Sequence, residues 1–330
     1  MYSNQIYASG IQSVLKVHWK LRCETPLAIR NGLSIGYQDS DQRKSRGMGL
    51  RFKWQPPSDD REVSSLHYGY KVVDDKVESY HFVPPSSIRG SLRSWVINHL
   101  VHPSYRDEIT PPEKKEEART KEYQAKIQKA LTDPKSGYSL VASLFGQALD
   151  TRNEGESLSN AGRLQIDTTS FSQAKAMPIA INGTLEDDGI TGPINASRQM
   201  TVRNPVDRMT HASKEGGLHH FLEFCQGETF EVHMTLLNPQ GSDMGLLSLW
   251  RREIEDGLLR FGALSSIGRG RVSIHEPGYR LWRNPFVKEP EWLKHFEPNN
   301  DESFTDALAG LWTAYILPAT SLDQLISYLQ

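Results

Sequence analysis

The sequence predicts an α+β fold in which the elements follow one another as strand, helix, strands, helix, strand. Two kinds of pattern predict it. Residues Val14–Cys23 alternate apolar and polar side chains, which is the period of a half-buried strand. Apolar residues within 88–100 and 246–258 recur instead at helical spacing. Further strands are expected at 162–169, 228–237 and 271–275, and the order of these elements is that of a ferredoxin-like sandwich.

Between these elements the chain changes character several times. Residues 30–80 are rich in Gly, Asp, Ser and mixed charge, so we expect a long loop that is functional or disordered. The Pro-Pro-Ser-Ser run at 84–87 is expected to stop this loop and cap the first helix. Residues 103–137 carry nearly cancelling charges and predict an exposed, charged helical insertion.

The C-terminal part is rich in aromatic residues. We expect one domain over residues 1–275 and an extension over 276–330 that docks on this domain or on a neighbour. The segment Leu322–Leu329 looks helical. No apolar run of about eighteen residues and no N-terminal signal is visible, which predicts a soluble, cytoplasmic protein with no membrane partner.

Charge is balanced over the chain but not along it. The 330 residues hold 38 Lys and Arg against 40 Asp and Glu, which excludes a globally basic nucleic-acid-binding protein. Residues 16–53, however, hold nine basic residues against three acidic ones, and residues 198–214 hold four against one. Such basic stripes are typical of a face that follows a phosphate backbone, although a surface that is only locally basic has the same composition.

The segment Phe261–Val272 carries the densest chemistry. It contains three glycines, two serines and two arginines, and no acid. Glycines allow backbone N–H groups to approach an anion, and serine hydroxyls and guanidinium groups add donors. The spacing matches neither nucleotide-binding glycine motif, so it predicts a phosphate-binding loop without a nucleotide cofactor. A glycine-rich hairpin with solvated arginines is the alternative.

Several classes of site are excluded or left without support. The chain has no G-x-S-x-G, no H-E-x-x-H and no paired Cys-x-x-Cys. Cys23 and Cys225 support neither a disulfide framework nor a zinc site. On the first helix, Arg89 and Arg93 lie four residues apart near the N-terminus, where an anion is favoured, although two solvated arginines would look the same.

Four ordered motifs resemble the RAMP superfamily of CRISPR-associated proteins. The first is Val83-Pro-Pro-Ser-Ser-Ile-Arg-Gly-Ser-Leu-Arg93, and the second is Leu144-Phe-Gly146 with Gly162-Arg-Leu-Gln-Ile-Asp167. The third is Arg203-Asn-Pro-Val-Asp-Arg-Met-Thr210 with Gly217-Leu218, Glu223 and Gly227-Glu-Thr-Phe230, and the fourth is the glycine-rich segment Leu264–Val272. The third motif is similar to the Cas-seven-like backbone subunits of type III effector complexes.

This resemblance implies an RRM-like core, a protruding β-hairpin thumb at about 198–220, and copies that stack along a guide RNA. The implied partners are guide RNA, target RNA, and other backbone and signature subunits, and binding would require no cofactor. The residues placed on RNA are basic or carry hydroxyls: Arg30, Ser86, Ser87, Arg89, Arg93, Arg198, Arg203, Arg208, Ser265, Ser266, Arg269 and Arg271.

Target cleavage by this subunit is expected to be weak or absent. Family members commonly carry Leu-His-Ile-Gly where this chain has Leu33-Ser-Ile-Gly36, and the position of the family's cleavage aspartate aligns near Tyr68-Gly69. If an acid substitutes, Asp39, Asp41, Asp74 and Asp75 are available. We favour Asp39 and Asp41, which could act with a divalent cation such as Mg²⁺.

Two other functions remain open from the residues alone. A RAMP endoribonuclease that processes precursor repeat RNA would need a general acid or base such as His18 or His211 near the glycine-rich loop. A purely architectural subunit would use its basic face to bind protein instead.

Overall fold

The computed structural model describes residues 10–39, 52–55, 62–73, 76–110, 121–147, 161–168, 170–175, 198–203, 209, 219–295, 313–317, 325–326 and 329. The strands are β1 (Ser13–Cys23), β2 (Arg30–Asp39), β3 (Phe52–Gln55), β4 (Glu62–Leu66), β5 (Tyr68–Val73), β6 (Lys76–Phe82), β7 (Leu164–Thr168), β8 (Ser170–Lys175), β9 (Arg198–Arg203), β10 (His219–Phe224), β11 (Thr229–Leu237), β12 (Val272–Arg283) and β13 (Thr313–Ile316). The helices are α1 (Pro85–Leu100), α2 (Pro103–Ile109), α3 (Lys121–Thr132), α4 (Tyr138–Phe145) and α5 (Gly241–Glu255). The predicted α+β class is confirmed.

The central sheet has the strand order β13-β12-β1-β11-β7, and every neighbouring pair in it is antiparallel. In β1 the alternation read from the sequence is confirmed, because Leu15, Val17, Trp19 and Leu21 are buried between their polar neighbours. The indole N–H of Trp19 donates a hydrogen bond of 3.0 Å to the Tyr279 hydroxyl on β12, so even the polar atom of this core residue is satisfied.

Helices α1 and α5 contribute apolar stripes to the same hydrophobic core. Ile88, Leu92, Trp95 and Val96 of α1 are buried, as their helical spacing predicts. The second predicted stripe extends too far, because α5 ends at Glu255 and Leu258 is 70% exposed. Gly257, with φ of 74°, redirects the chain directly after the helix.

The Pro-Pro-Ser-Ser run begins α1 as predicted, but its serine side chains do not cap the helix. Pro84 is the N-cap, no side chain caps the helix, and Ser86 and Ser87 lie inside its first turn. Pro85 suits the first helical position because it has no N–H that would be left without a partner there.

The loop predicted over residues 30–80 is also wrong, since β2 to β6 lie within it or end just beyond it. Three of these strands join a second sheet of order β3-β2-β4-β10-β9, in which only the β4–β10 pair among the described strands is parallel. The other two join a sheet of order β5-β6-β8. Backbone hydrogen bonds hold these polar strands, so they carry little of the apolar alternation that marks a strand in sequence.

The charged insertion is more than one exposed helix. It contains α2, α3 and a 3₁₀ turn at Pro134–Ser136, and Ile109, Ile127 and Ala130 are buried in the core cluster. The Tyr123 hydroxyl donates to the carbonyl of Ile109 at 3.0 Å, which joins α3 to α2. The inner sides of these helices therefore pack in the hydrophobic core, and their outer sides are solvent-exposed.

At the C-terminal end, β12 crosses the boundary expected at residue 275 and continues to Arg283. Strand β13 pairs with it through Arg280–Ile316 and Leu281–Tyr315. The helix-like segment predicted at 322–329 is described only at three positions, where Leu325 is fully buried. Among the described helices, none has the length and apolarity that crossing a bilayer requires.

Candidate nucleic-acid interface

The glycine-rich loop folds back against the chain that leaves β1. The Ala263 N–H donates to the Ala28 carbonyl at 2.7 Å, and the Gly270 N–H donates to the Pro26 carbonyl at 3.0 Å. Glycine is required at two points of close approach. A Cβ on Gly262 would lie 2.5 Å from the Ala28 oxygen, and one on Gly270 would clash with the Phe261 carbonyl. Both glycines also have positive φ, which disfavours any side chain.

The tip of this loop is a 3₁₀ turn, Ser265–Ile267, set between Leu264 and Gly268, which are both left-handed. The Gly268 N–H bonds to the Ser265 carbonyl at 3.2 Å, and the Gly270 N–H is used on Pro26. The expectation that these glycine N–H groups face an anion is therefore wrong. The side chains of Ser265 and Ser266 are exposed, so the hydroxyl donors of the loop remain accessible.

Arg269 turns its guanidinium toward the second sheet. Its Nε lies 3.0 Å from Oε1 of Glu223, an acid on β10 whose side chain is fully buried. The other carboxylate oxygen of Glu223 accepts a hydrogen bond of 2.5 Å from the Thr201 hydroxyl on β9. The Arg269 side chain is 27% exposed, so it can still meet solvent while it neutralises a buried charge.

Arg30 contacts the same strand as this ion pair, and Arg271 follows Arg269 in the glycine-rich loop. The Arg30 guanidinium carbon sits 5.0 Å from the ring centre of Phe221, two residues before Glu223 on β10. The Arg271 backbone N–H donates to the Thr25 hydroxyl at 3.0 Å, and its exposed side chain passes over Gly257, where a Cβ would lie 2.8 Å from Nε. Backbone contacts thus bring the loop that carries Arg269 and Arg271 beside residues 24–28, which lead directly to Arg30.

The arginines of α1 have partners on the neighbouring helices. Arg89 is exposed, but its guanidinium donates to the Phe145 carbonyl at the end of α4 and lies 5.9 Å from the ring centre of the same residue. Burial raises the pKa of the Tyr138 phenol, and the charge of Arg93 partly opposes that rise. Arg89 therefore joins α1 to α4, which leaves fewer of its donors for RNA.

The remaining predicted residues are placed only in part. Ser86 is exposed and Ser87 half-buried in the first turn of α1. Arg203 is exposed at the end of β9, opposite His219 on β10, and Arg198 starts β9 opposite Phe224. These two strands flank the predicted thumb. Asp39 ends β2 opposite Phe52. The side chains of Arg198 and Asp39, and all of Arg208, Asp41 and His211, lie outside the described residues.

His18 does not lie at the glycine-rich loop. It pairs with Gly278 on β12, whereas the loop ends where Val272 pairs with Cys23. Five residues of strand separate these two positions along β1, which is about 17 Å.

Sequence reasoning did not predict that two acids, Glu223 and Asp243, are buried. Glu223 stands in the apolar run Phe221-Leu-Glu-Phe224, and an acid in such a run is a signal for a buried, paired charge. Asp243 is 1% exposed and forms a two-pronged ion pair with the equally buried Arg163, at 2.7 and 3.0 Å. Arg163 belongs to one of the recognised motifs, and its partners give it a structural role.

A comparison with protein families agrees with the motifs. The model of the RAMP superfamily matches residues 20–273, which is more than three quarters of the chain. The matched range begins in β1 and ends at the start of β12, so it includes the glycine-rich loop and both ion pairs. Among curated proteins, none matches this chain.

Proposed function

The chain belongs to the RAMP superfamily, and from that premise we propose that it is a guide-RNA-binding backbone subunit of a type III CRISPR effector complex. Membership implies a CRISPR-associated RNA-binding role, in association with CRISPR RNA and other CRISPR-associated subunits. The finer assignment rests on the third sequence motif, Arg203–Thr210, and on the surface described above.

The observation that carries the RNA-binding proposal is that the glycine-rich loop, with Arg269, Arg271 and the exposed Ser265 and Ser266, folds against residues 24–28, next to Arg30. Guanidinium groups and hydroxyls suit phosphate and ribose oxygens, which every RNA presents regardless of sequence. Such contacts hold a guide in place and leave its bases to read the target by pairing.

The architecture is compatible with the implied RRM-like core. Counting only β1, β7, β11 and β12 as the four core strands, their spatial order is fourth, first, third, second, with α1 after the first and α5 after the third. This order supports the proposed ferredoxin-like core. We assign the thumb to about residues 198–220, and the partners to guide RNA, target RNA and neighbouring subunits. Mg²⁺ would enter only if the subunit cleaves its target.

Salt dependence of RNA binding tests the surface. We expect the variants Arg30→Ala and Arg271→Ala to bind single-stranded RNA more weakly whatever its sequence. The slope of log affinity against log salt should flatten by about 0.7 for each phosphate contact that a substitution removes. Arg252→Ala, which removes the same charge from an exposed position on α5, is the matched control. An unchanged slope in the Arg30→Ala, Arg271→Ala double variant would refute the assigned surface.

The mass of the complex formed with guides of increasing length tests the backbone role. A stacking subunit adds copies as the guide lengthens, so the measured mass should rise in steps of one chain. A single copy on every guide, together with cleavage of free repeat RNA by the isolated protein, would favour the processing endoribonuclease instead. That alternative has no specific support here, because His18 lies away from the glycine-rich loop and His211 lies outside the described residues.

A further inference from the structure

A cluster of three metal-ligating side chains lies on the open face of the central sheet. His18 on β1 stands directly opposite His233 on β11, and their rings stack with centres 4.8 Å apart and planes at 22°. Glu231 is two residues before His233 on the same strand, so its side chain shares that face. The side chains of His18, His233 and Glu231 are 37%, 45% and 41% exposed respectively, which leaves the cluster open to solvent on one side.

The distances within the cluster fit a common ion. One carboxylate oxygen of Glu231, Oε2, lies 3.5 Å from Nε2 of His18 and 3.4 Å from Nε2 of His233. Donors placed about 2.0–2.2 Å from a tetrahedral zinc are separated by roughly 3.3–3.5 Å. The three donor atoms all lie within 4.8 Å of one another, so a small tilt of the stacked imidazoles would complete the triangle.

The ring nitrogen of His18 gives a second, independent indication. Its Nε2 atom is shielded from solvent and has no aligned hydrogen-bond partner among the described residues, although it faces the Glu231 carboxylate. A shielded ring nitrogen with only this ion-pair contact has lost its hydration without gaining a hydrogen bond. A bound cation would use its lone pair.

Neighbouring charges do not block the cluster. Lys16 and Lys20 flank His18 on the same face, but the Lys20 ammonium lies 3.3 Å from Glu276 and the Lys16 ammonium lies over the Trp282 ring at 5.0 Å. Asp167 stands opposite His233 on β7 and is exposed, so it adds negative charge on the other side. Asp167 therefore adds a fourth polar group, an acidic one, close to the three proposed metal ligands.

We propose that His18, His233 and Glu231 bind one divalent transition-metal ion of the Zn²⁺ class. Two imidazoles and one carboxylate favour Zn²⁺, Co²⁺ or Ni²⁺ over Mg²⁺, which prefers oxygen ligands alone. Three protein donors leave a fourth position for water or for an oxygen of a bound anion. The ion would also clamp the two central strands, β1 and β11. This site is independent of the RNA-binding surface proposed above.

Zinc binding to the tag-free full chain, stripped with a chelator and then dialysed, tests the proposal. We expect one Zn²⁺ per chain by calorimetric titration and a higher unfolding temperature when Zn²⁺ is present. His18→Gln and His233→Gln should each weaken binding at least ~10-fold and abolish the temperature shift. His275→Gln is the matched control, because His275 is an exposed histidine on β12 that stands outside the cluster, opposite Lys20.

Binding of Co²⁺ to the wild-type chain is a second test, which does not depend on the folding of any variant. The wild-type chain loaded with Co²⁺ should show the visible absorption bands of a four-coordinate ion, and excess Zn²⁺ should remove them. The proposal is wrong if the folded wild-type chain binds no Zn²⁺. It is equally wrong if folded His18→Gln and His233→Gln bind it as tightly as His275→Gln. In either case the three groups form only His–Glu ion pairs.

Discussion

The guanidinium of Arg269 lies 3.0 Å from the carboxylate of Glu223, and the Glu223 side chain is fully buried. This contact joins the glycine-rich loop to β10, the strand that carries Phe221 beneath Arg30. An arginine that the sequence assigns to RNA therefore also compensates an internal charge. Replacing Arg269 should therefore lower the stability of the protein even when no RNA is present.

Arg269→Ala should lower the free energy of unfolding of the RNA-free protein by about 1–3 kcal/mol, because Glu223 would keep a buried charge with a partner missing. Arg271→Ala, at an exposed position in the same loop, should change it by less than ~0.5 kcal/mol. Urea unfolding of both variants gives the comparison. Adding Glu223→Gln to Arg269→Ala should recover part of the stability, and strictly additive effects would contradict a direct coupling.

Asp243 should be among the most sensitive positions of the chain. Its two carboxylate oxygens meet Arg163, and one of them also accepts the Gln240 N–H at the start of α5. Asp243→Ala would leave Arg163 charged and buried, so we expect the free energy of unfolding to fall by about 3–5 kcal/mol. Asp256→Ala, at the exposed end of the same helix, should stay within ~0.5 kcal/mol in the same denaturation experiment. Equal losses of stability in the two variants would contradict a specific contribution of the Arg163–Asp243 ion pair.

The insertion at 103–137 should tolerate changes only on its outer side. Ile127 is 1% exposed, so Ile127→Ala should destabilise the domain by about 2–5 kcal/mol. Glu122 is exposed and pairs with Lys126 one turn later, a contact worth little in water, so Glu122→Ala should be nearly neutral. Thermal unfolding of the two variants distinguishes a core element from a solvated appendage. A neutral Ile127→Ala would restore the simpler view of an exposed charged helix.

Only some elements of this fold could be predicted from the sequence. Strand β1 and helix α1 each bury one complete face, so their periodicities are clear and their positions could be predicted. Strands β2 to β6 pair mainly through backbone groups, and polar residues in them look like loop residues. The buried pairs Arg269–Glu223 and Arg163–Asp243 join residues 46 and 80 positions apart. No local pattern predicts which acid meets which arginine.

The metal site proposed above could not have been predicted from the sequence, for a similar reason. His18 and His233 are more than two hundred residues apart, and only the antiparallel register of β1 and β11 brings them opposite each other. The two histidines that are adjacent in the sequence, His219 and His220, occupy the first two positions of β10.

The two cysteines should differ in reactivity. Burial is the main cause that raises the pKa of Cys23 from 9.0 to about 12, so no thiolate forms there at neutral pH, whereas Cys225 is half-buried. A thiol reagent at pH 8 should modify one cysteine quickly in the native protein and two after unfolding. Cys225→Ser should abolish the fast reaction. Fast modification in that variant would show that β1 opens readily at its end.

The same shift makes a prediction about stability. The thiol is neutral when protonated, and the folded state favours that form, so the unfolded chain loses its proton first as pH rises. The contribution of Cys23 is therefore complete below pH 9 and declines between about pH 9 and 12. Denaturation of wild type and Cys23→Ala across this window should give a stability difference that shrinks with pH.

Target cleavage by this subunit should be weak or absent. Gly69, near which the family's cleavage aspartate aligns, pairs with Tyr80 inside the β5–β6 ladder, and the expected histidine is replaced by Ser34. Correct placement of the 2′-OH and the phosphate supplies much of the rate in such a reaction, and at the two aligned family positions the chain has Ser34 and no aspartate near Gly69. Reconstituted complexes carrying Asp39→Ala plus Asp41→Ala should therefore give the same target fragments as wild type. Asp74→Ala plus Asp75→Ala is the parallel arm, because these acids follow β5 directly. Disappearance of one discrete fragment in either double variant would show that the subunit is catalytic and would identify the strand end that carries the acid.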